Sequence, residues 1–197
     1  MRNILLRNDH MLIENEFYKV KINIDPVYMV DSADNRHYDI VLNPDNMKQN
    51  DFYKVLNIHV ENRNKEYDIA LVGGYFSYDS DCAVLEENRL TVLQDDKLTQ
   101  INLNDGNIIF CKRFDSFTTN FAIYEAPCGY VVYGEMQITG LDKNFEKLWH
   151  FMGKDIFVTC SGKNPFELCE NSIRLYDFED NFYEINYDGT LLTHKIQ

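Results

Sequence analysis

Four short polar turns recur along this 197-residue chain at nearly even intervals. They centre on Asn64 in "NIHVENRNKEYDIALV", Asp105-Gly106 in "NLNDGNIIF", Asn144-Phe145 in "GLDKNFEKLWHF" and Asp188-Gly189 in "INYDGTLLTHKI", in steps of 41, 39 and 44 residues. Asp-Gly between β-rich runs signals a hairpin, because both residues tolerate the positive φ of a type I′ turn. The third copy is ambiguous by itself. Leu141, Phe145, Leu148 and Trp149 also fall on one face of an amphipathic helix. The Asp-Gly copies on either side cannot be helices. The repeat therefore predicts a hairpin tip at Asn144-Phe145, with Trp149 on the returning strand as a packing residue.

The units also align away from these turns. "EENRLTVLQDDKLTQINLNDGNIIF", "PCGYVVYGEMQITGLDKNFEKLWHF" and "CENSIRLYDFEDNFYEINYDGTLLTHKI" each read strand, turn, strand, turn, strand. Their inner turns fall at 95–97, 134–136 and 178–181. A repeat of about forty residues is the period of four-stranded propeller blades. The predicted fold is all-β: antiparallel four-stranded repeat units in a small or incomplete β-propeller-like arrangement, with an N-terminal β cap. Residues 1–50 form the cap and 51–197 the repeats, in one continuous domain. "EFYKVKINID" alternates as a strand, "FTTNFAIYEA" at 117–126 is strand-like, and 43–52 has room for a brief helix.

"ITGLDKNFEKLWHF" resembles a unit of the PQQ-like, quinoprotein-type β-propeller repeat. Gly140, Leu141, Asp142, Leu148 and Trp149 match its pattern, and Phe145 stands where glycine is usual. The resemblance covers about 82–196 and implies fold, not activity. Propellers of this type have six to eight blades, and this length accommodates four or five. The quinoprotein chemistry is not implied, because the chain lacks the length and the adjacent cysteine pair. No cofactor is expected.

Charge narrows the partners. With 32 acids against 19 bases the formal net charge is −13, which repels nucleic-acid phosphates and favours encounter with a basic protein. Five irregularly spaced cysteines with no CxxC pair, and no leader-like or membrane-length apolar run, fit a cytoplasmic chain away from membranes.

No catalytic signature is present, and none of the five histidines is spaced as a metal ligand pair. No catalytic or metal residues are assigned. The candidate binding residues are Tyr75, Phe76 and Tyr78 as an aromatic patch, Asp155 entering a strand after a turn, and Asp177 and Glu179 in "DFED". The leading expectation is a non-enzymatic binding module for a protein partner, of a bacterial immunity or regulatory type. One alternative is a hydrolase acting on carbohydrates or small metabolites, pairing carboxylates among Glu135, Asp155, Asp177 and Glu179. The other is a structural β-module that dimerises through an edge strand.

Overall fold

The computed structural model describes residues 5–7, 10–76, 81–113 and 119–196. Every regular element in them is a strand. The chain divides into two compact units, Met1–Asp115 and Ser116–Gln197.

Unit 1 begins with a six-stranded sheet. Its members are β1 (Leu5–Arg7), β2 (His10–Glu14), β3 (Tyr18–Ile24), β4 (Ile40–Leu42), β5 (Lys54–Asn62) and β6 (Glu66–Gly73), in the order β1-β2-β3-β5-β6-β4. Strands β2, β3, β5 and β6 form an antiparallel four-stranded core, and β4 joins its edge parallel to β6. This sheet thus takes strands from both sides of residue 50. Residues 43–52 form turns in place of the brief helix. Asn43 explains the difference: its Oδ1 accepts from Met47 N–H and its Nδ2 donates to the Met47 carbonyl, competing with helical bonding.

The second sheet of unit 1 is the meander β7 (Ala83–Glu86), β8 (Arg89–Gln94), β9 (Lys97–Asn102) and β10 (Ile108–Arg113). Alternation builds the core of this unit. Val20 and Ile22 are fully buried while Lys19 and Lys21 between them are exposed, as period-2 side chains require. With Ile58, Ile69, Leu90, Val92 and Ile101 they form one apolar cluster. A smaller cluster, with Val30, Tyr38, Val55, Ala70 and Val72, packs residues of the 25–53 segment on the first sheet.

Unit 2 holds two four-stranded meanders. One is β11 (Asn120–Ala126), β12 (Gly129–Gly134), β13 (Gln137–Leu141) and β14 (Lys147–Met152). The other is β15 (Phe166–Leu168), β16 (Ile173–Tyr176), β17 (Phe182–Ile185) and β18 (Leu191–Lys195). Their shared core includes Val131, Ile138, Phe157, Ile173, Leu175, Tyr183 and Ile185. The all-β fold of antiparallel four-stranded units stands.

All four repeated turns are hairpin turns: β5–β6, β9–β10, β13–β14 and β17–β18. Their backbone differs from the type I′ expectation. That turn needs two positive φ values; three of the turns have one each, at Gly106 (74°), Phe145 (60°) and Gly189 (84°), and the β5–β6 turn has none. The β13–β14 and β17–β18 loops have three residues, closed by Asp142 N–H to the Glu146 carbonyl and Asn186 N–H to the Thr190 carbonyl. The left-handed residue comes last in each. The side chain that organises each turn stands at its start. Asn62, Asn102, Asp142 and Asn186 each accept the N–H two residues on through Oδ1. These anchors are 40, 40 and 44 residues apart, a tighter period than the turn tips gave.

Trp149 takes the packing role that the repeat assigns to it. It lies opposite Gly140 across β13–β14, and its indole Nε1 donates to the Tyr187 carbonyl at 2.9 Å. A Cβ on Gly140 would fall 2.1–2.6 Å from the indole, and one on Gly189 2.8–2.9 Å from it. The ring packs against two glycine backbones, one in β13 and one in the β17–β18 turn.

Candidate functional site

Turn chemistry at one end of the unit 1 strands builds a cleft of about 440 Å³. Four turns contribute: β2–β3 with Phe17 and Tyr18, β5–β6 with Asn62, Arg63 and Asn64, β7–β8 with Glu87 and Asn88, and β9–β10 with Asn104. Asparagine is frequent here because its side chain closes turns on the backbone. Asn15 Oδ1 accepts from Phe17 and Tyr18 N–H, both at 2.9 Å. Asn62 Oδ1 accepts from Asn64 and Lys65 N–H, also at 2.9 Å.

Longer-range bonds fix the turns to one another. Asn15 Nδ2 donates to the Glu87 carbonyl at 2.8 Å, Tyr18 OH to Asn104 Oδ1 at 2.7 Å, and Asn88 Nδ2 to Asn102 Oδ1 at 2.9 Å. Lys65 Nζ donates to the Asn104 carbonyl at 2.6 Å. Tyr67 OH ties the group to the sheet by donating to the Leu103 carbonyl, and burial pushes its hydroxyl up to about 12. The Asp105 carboxyl is held below its usual range, first by the Asn107 backbone N–H.

This bonding leaves several groups available. Among the described residues, the Arg63 guanidinium and the Glu87 carboxylate have no ion-pair partner, and Phe17 is 53% exposed. Glu87 has φ 49°, a conformation that costs a non-glycine residue about 1–2 kcal/mol. The cleft is lined by amides, one cation, one anion and the aromatic residues Phe17 and Tyr18. Its side chains offer hydrogen-bond donors and acceptors. A second cleft, of about 360 Å³, lies in unit 2 beside Lys163, Tyr176, Asp180, Phe182 and Lys195, with Lys163 ion-paired to Asp180 at 3.3 Å.

The residues singled out from the sequence lie elsewhere. Phe76 is in the unit 1 core, 2% exposed. Tyr75 is exposed, and its carbonyl accepts from Asp95 N–H at 2.9 Å. Tyr78 is outside the described residues. Asp155 Oδ1 accepts from Ile156 N–H at 2.8 Å, one residue on instead of two. Asp177 is fully buried. Its Oδ1 accepts from Glu179 and Asn181 N–H, and its Oδ2 from Asn181 Nδ2 and Tyr183 OH at 2.9 and 2.8 Å. Burial would raise this carboxyl, but those hydrogen bonds outweigh burial and hold it below the usual range. Glu179 is exposed at the same turn. Neither these residues nor Glu135 line either cleft.

Among the described residues there is no His, Cys, Asp and Glu grouping that could hold a metal, and no helix long and apolar enough to cross a membrane. The asparagine cleft went unread because each asparagine, taken singly, is only a turn marker. The signal lay in four turns of different strands carrying the same residue type.

No family model matches the chain, and no curated protein does. Solved structures of β-propellers match it over nearly its whole length. BamB from Moraxella catarrhalis is 10% identical with a TM-score of 0.47, over 98% of this chain and 63% of BamB. The AfRom2 CNH domain is 10% identical with a TM-score of 0.45, over 100% and 70%. A HIRA fragment is 7% identical with a TM-score of 0.49, over 98% and 55%. The chain thus spans 63% of the length of the BamB chain and 55% of the HIRA fragment.

Proposed function

We propose that the chain is a non-enzymatic binding module for a protein partner, and that the partner presents a basic surface. The observation that carries this reading is how evenly the acid excess is distributed. Unit 1 has 20 acids against 13 bases, and unit 2 has 12 against 6. Many bases are already neutralised locally: Lys19 by Glu61, Arg36 by Asp68, Lys97 by Asp45, Arg113 by Asp96, Lys163 by Asp180 and Arg174 by Glu184. Each unit therefore offers uncompensated carboxylates to solvent, which steer a cationic partner and set the salt dependence of its binding. An immunity- or regulatory-type role, acting on a cationic protein in the cytoplasm, is the concrete form of this proposal. The five free thiols support a reducing compartment.

The test is affinity capture from the native host at about 50 and 500 mM salt, followed by titration of the purified partner. The expected result is a basic protein bound with nanomolar affinity at low salt and at least tenfold more weakly at high salt. Binding indifferent to salt, or no basic protein retained, overturns the proposal.

A further inference from the structure

We infer that the asparagine-lined cleft of unit 1 binds a neutral saccharide, one or two pyranose units in size. The site is separate from the acidic-surface reading, since its lining contains one cation, Arg63, and one anion, Glu87.

Three features point to this ligand class. The first is the inventory of available groups. Asn62 and Asn104 have their Oδ1 atoms committed to Asn64 and Lys65 N–H and to Tyr18 OH respectively, which leaves both Nδ2 groups to donate. Asn88 is the reverse: Nδ2 is committed to Asn102, so Oδ1 is left to accept. The exposed Asn64 amide can do both. Donors and acceptors at fixed positions match hydroxyl groups, which donate and accept from one oxygen. The second is Phe17, whose exposed ring gives a flat apolar surface for the C–H face of a sugar. The third is size: about 440 Å³ suits a small ligand.

The same observations disfavour the other classes. A peptide adding as a strand needs a free backbone edge. Here turn backbone groups bond one another, as in Asn62 N–H to the Lys65 carbonyl, Leu103 N–H to the Asn88 carbonyl and Asn15 N–H to the Tyr18 carbonyl. A phosphate-bearing ligand would meet one guanidinium, opposed by Glu87, on a chain of net charge −13.

The experiment is NMR titration of the full-length ¹⁵N-labelled protein with glucose, galactose, mannose, N-acetylglucosamine, maltose and lactose, with glucuronate and glucosamine as charged probes. At least one neutral sugar is expected to shift the side-chain signals of Asn62, Asn64, Asn88 and Asn104, with a Kd of about 1 mM. The affinity should be unchanged between low and high salt, unlike the protein binding proposed above. Phe17→Ala and Asn64→Ala alter exposed side chains, so an unchanged melting temperature is expected with at least tenfold weaker binding. No shift with any neutral sugar overturns the inference. So does tighter binding of either charged probe, or binding that both variants retain.

Discussion

The β13–β14 and β16–β17 turns share one backbone but differ in what it encloses. Each is a three-residue loop that starts at an aspartate and ends on a left-handed residue, Phe145 (60°) or Asp180 (64°). In each, the aspartate Oδ1 accepts the N–H groups two and four residues on. Asp142 is half-buried, whereas Asp177 is fully buried and takes two further bonds from Asn181 and Tyr183. The same local motif is thus a surface turn in one place and the centre of a buried polar network in the other. The network extends further, since Lys154 N–H donates to Tyr183 OH. Sequence pattern specifies the turn, and depth in the fold determines what the turn is worth.

The largest predicted effect follows from that depth. Asp177→Ala strands the buried Asn181 and Tyr183 donors and should cost about 3–5 kcal/mol, read from urea denaturation. The charge also has a pH signature. Its carboxyl lies below the ordinary aspartate value of 3.8 in the folded state, so its stabilisation is complete above that value. It is lost as pH falls through the lower folded value. The wild type should therefore weaken steadily below about pH 4, and Asp177→Asn should flatten that slope. An unchanged acid slope in the variant would mean that other carboxylates carry it.

Phe145 tests the opposite end of the comparison. A left-handed non-glycine residue costs about 1–2 kcal/mol. Here the ring is 4% exposed and stacks on Tyr130 with centroids 4.4 Å apart, which offsets the strain. Phe145→Ala keeps the strain and loses the ring, at about 3–4 kcal/mol. Phe145→Gly loses the ring but relieves the strain, so it should be about 1 kcal/mol less damaging than alanine. Glycine proving worse than alanine would refute the strain argument. Gly140→Ala comes next, at about 1–3 kcal/mol, because the new methyl would meet the Trp149 indole. In a Trp149→Ala background that penalty should largely vanish.

These residues also show what the sequence made legible. The repeat located the hairpins and the place of Trp149, because turn chemistry is local. It also explained away the helical spacing, and the structure supplies the reason for that spacing. In β14, β18 and β10 the register slips by one beyond the turn, leaving Leu148, Leu192 and Ile109 unpaired and about half exposed. A bulge places two apolar residues in succession, and the period of two blurs toward that of a helix. The burial of Asp177 and the asparagine cleft were not legible. Burial of a turn aspartate depends on the strands packed over it, and the cleft depends on four turns meeting in space. Neither is encoded within a few residues of the site.

Asp142→Ala is the smallest effect and the sharpest control. It removes the Oδ1 that accepts Asn144 and Glu146 N–H, both at 2.8 Å, while water can reach the half-buried turn. The cost should be about 1 kcal/mol, since solvent replaces part of what is lost. Asp142→Asn keeps an acceptor oxygen in place and should recover most of that loss, whereas Asp177→Asn should not, because its amide would set a donor against Asn181 or Tyr183. If the two asparagine variants behaved alike, depth would not be what separates the turns, and the shared backbone motif alone would set their strength.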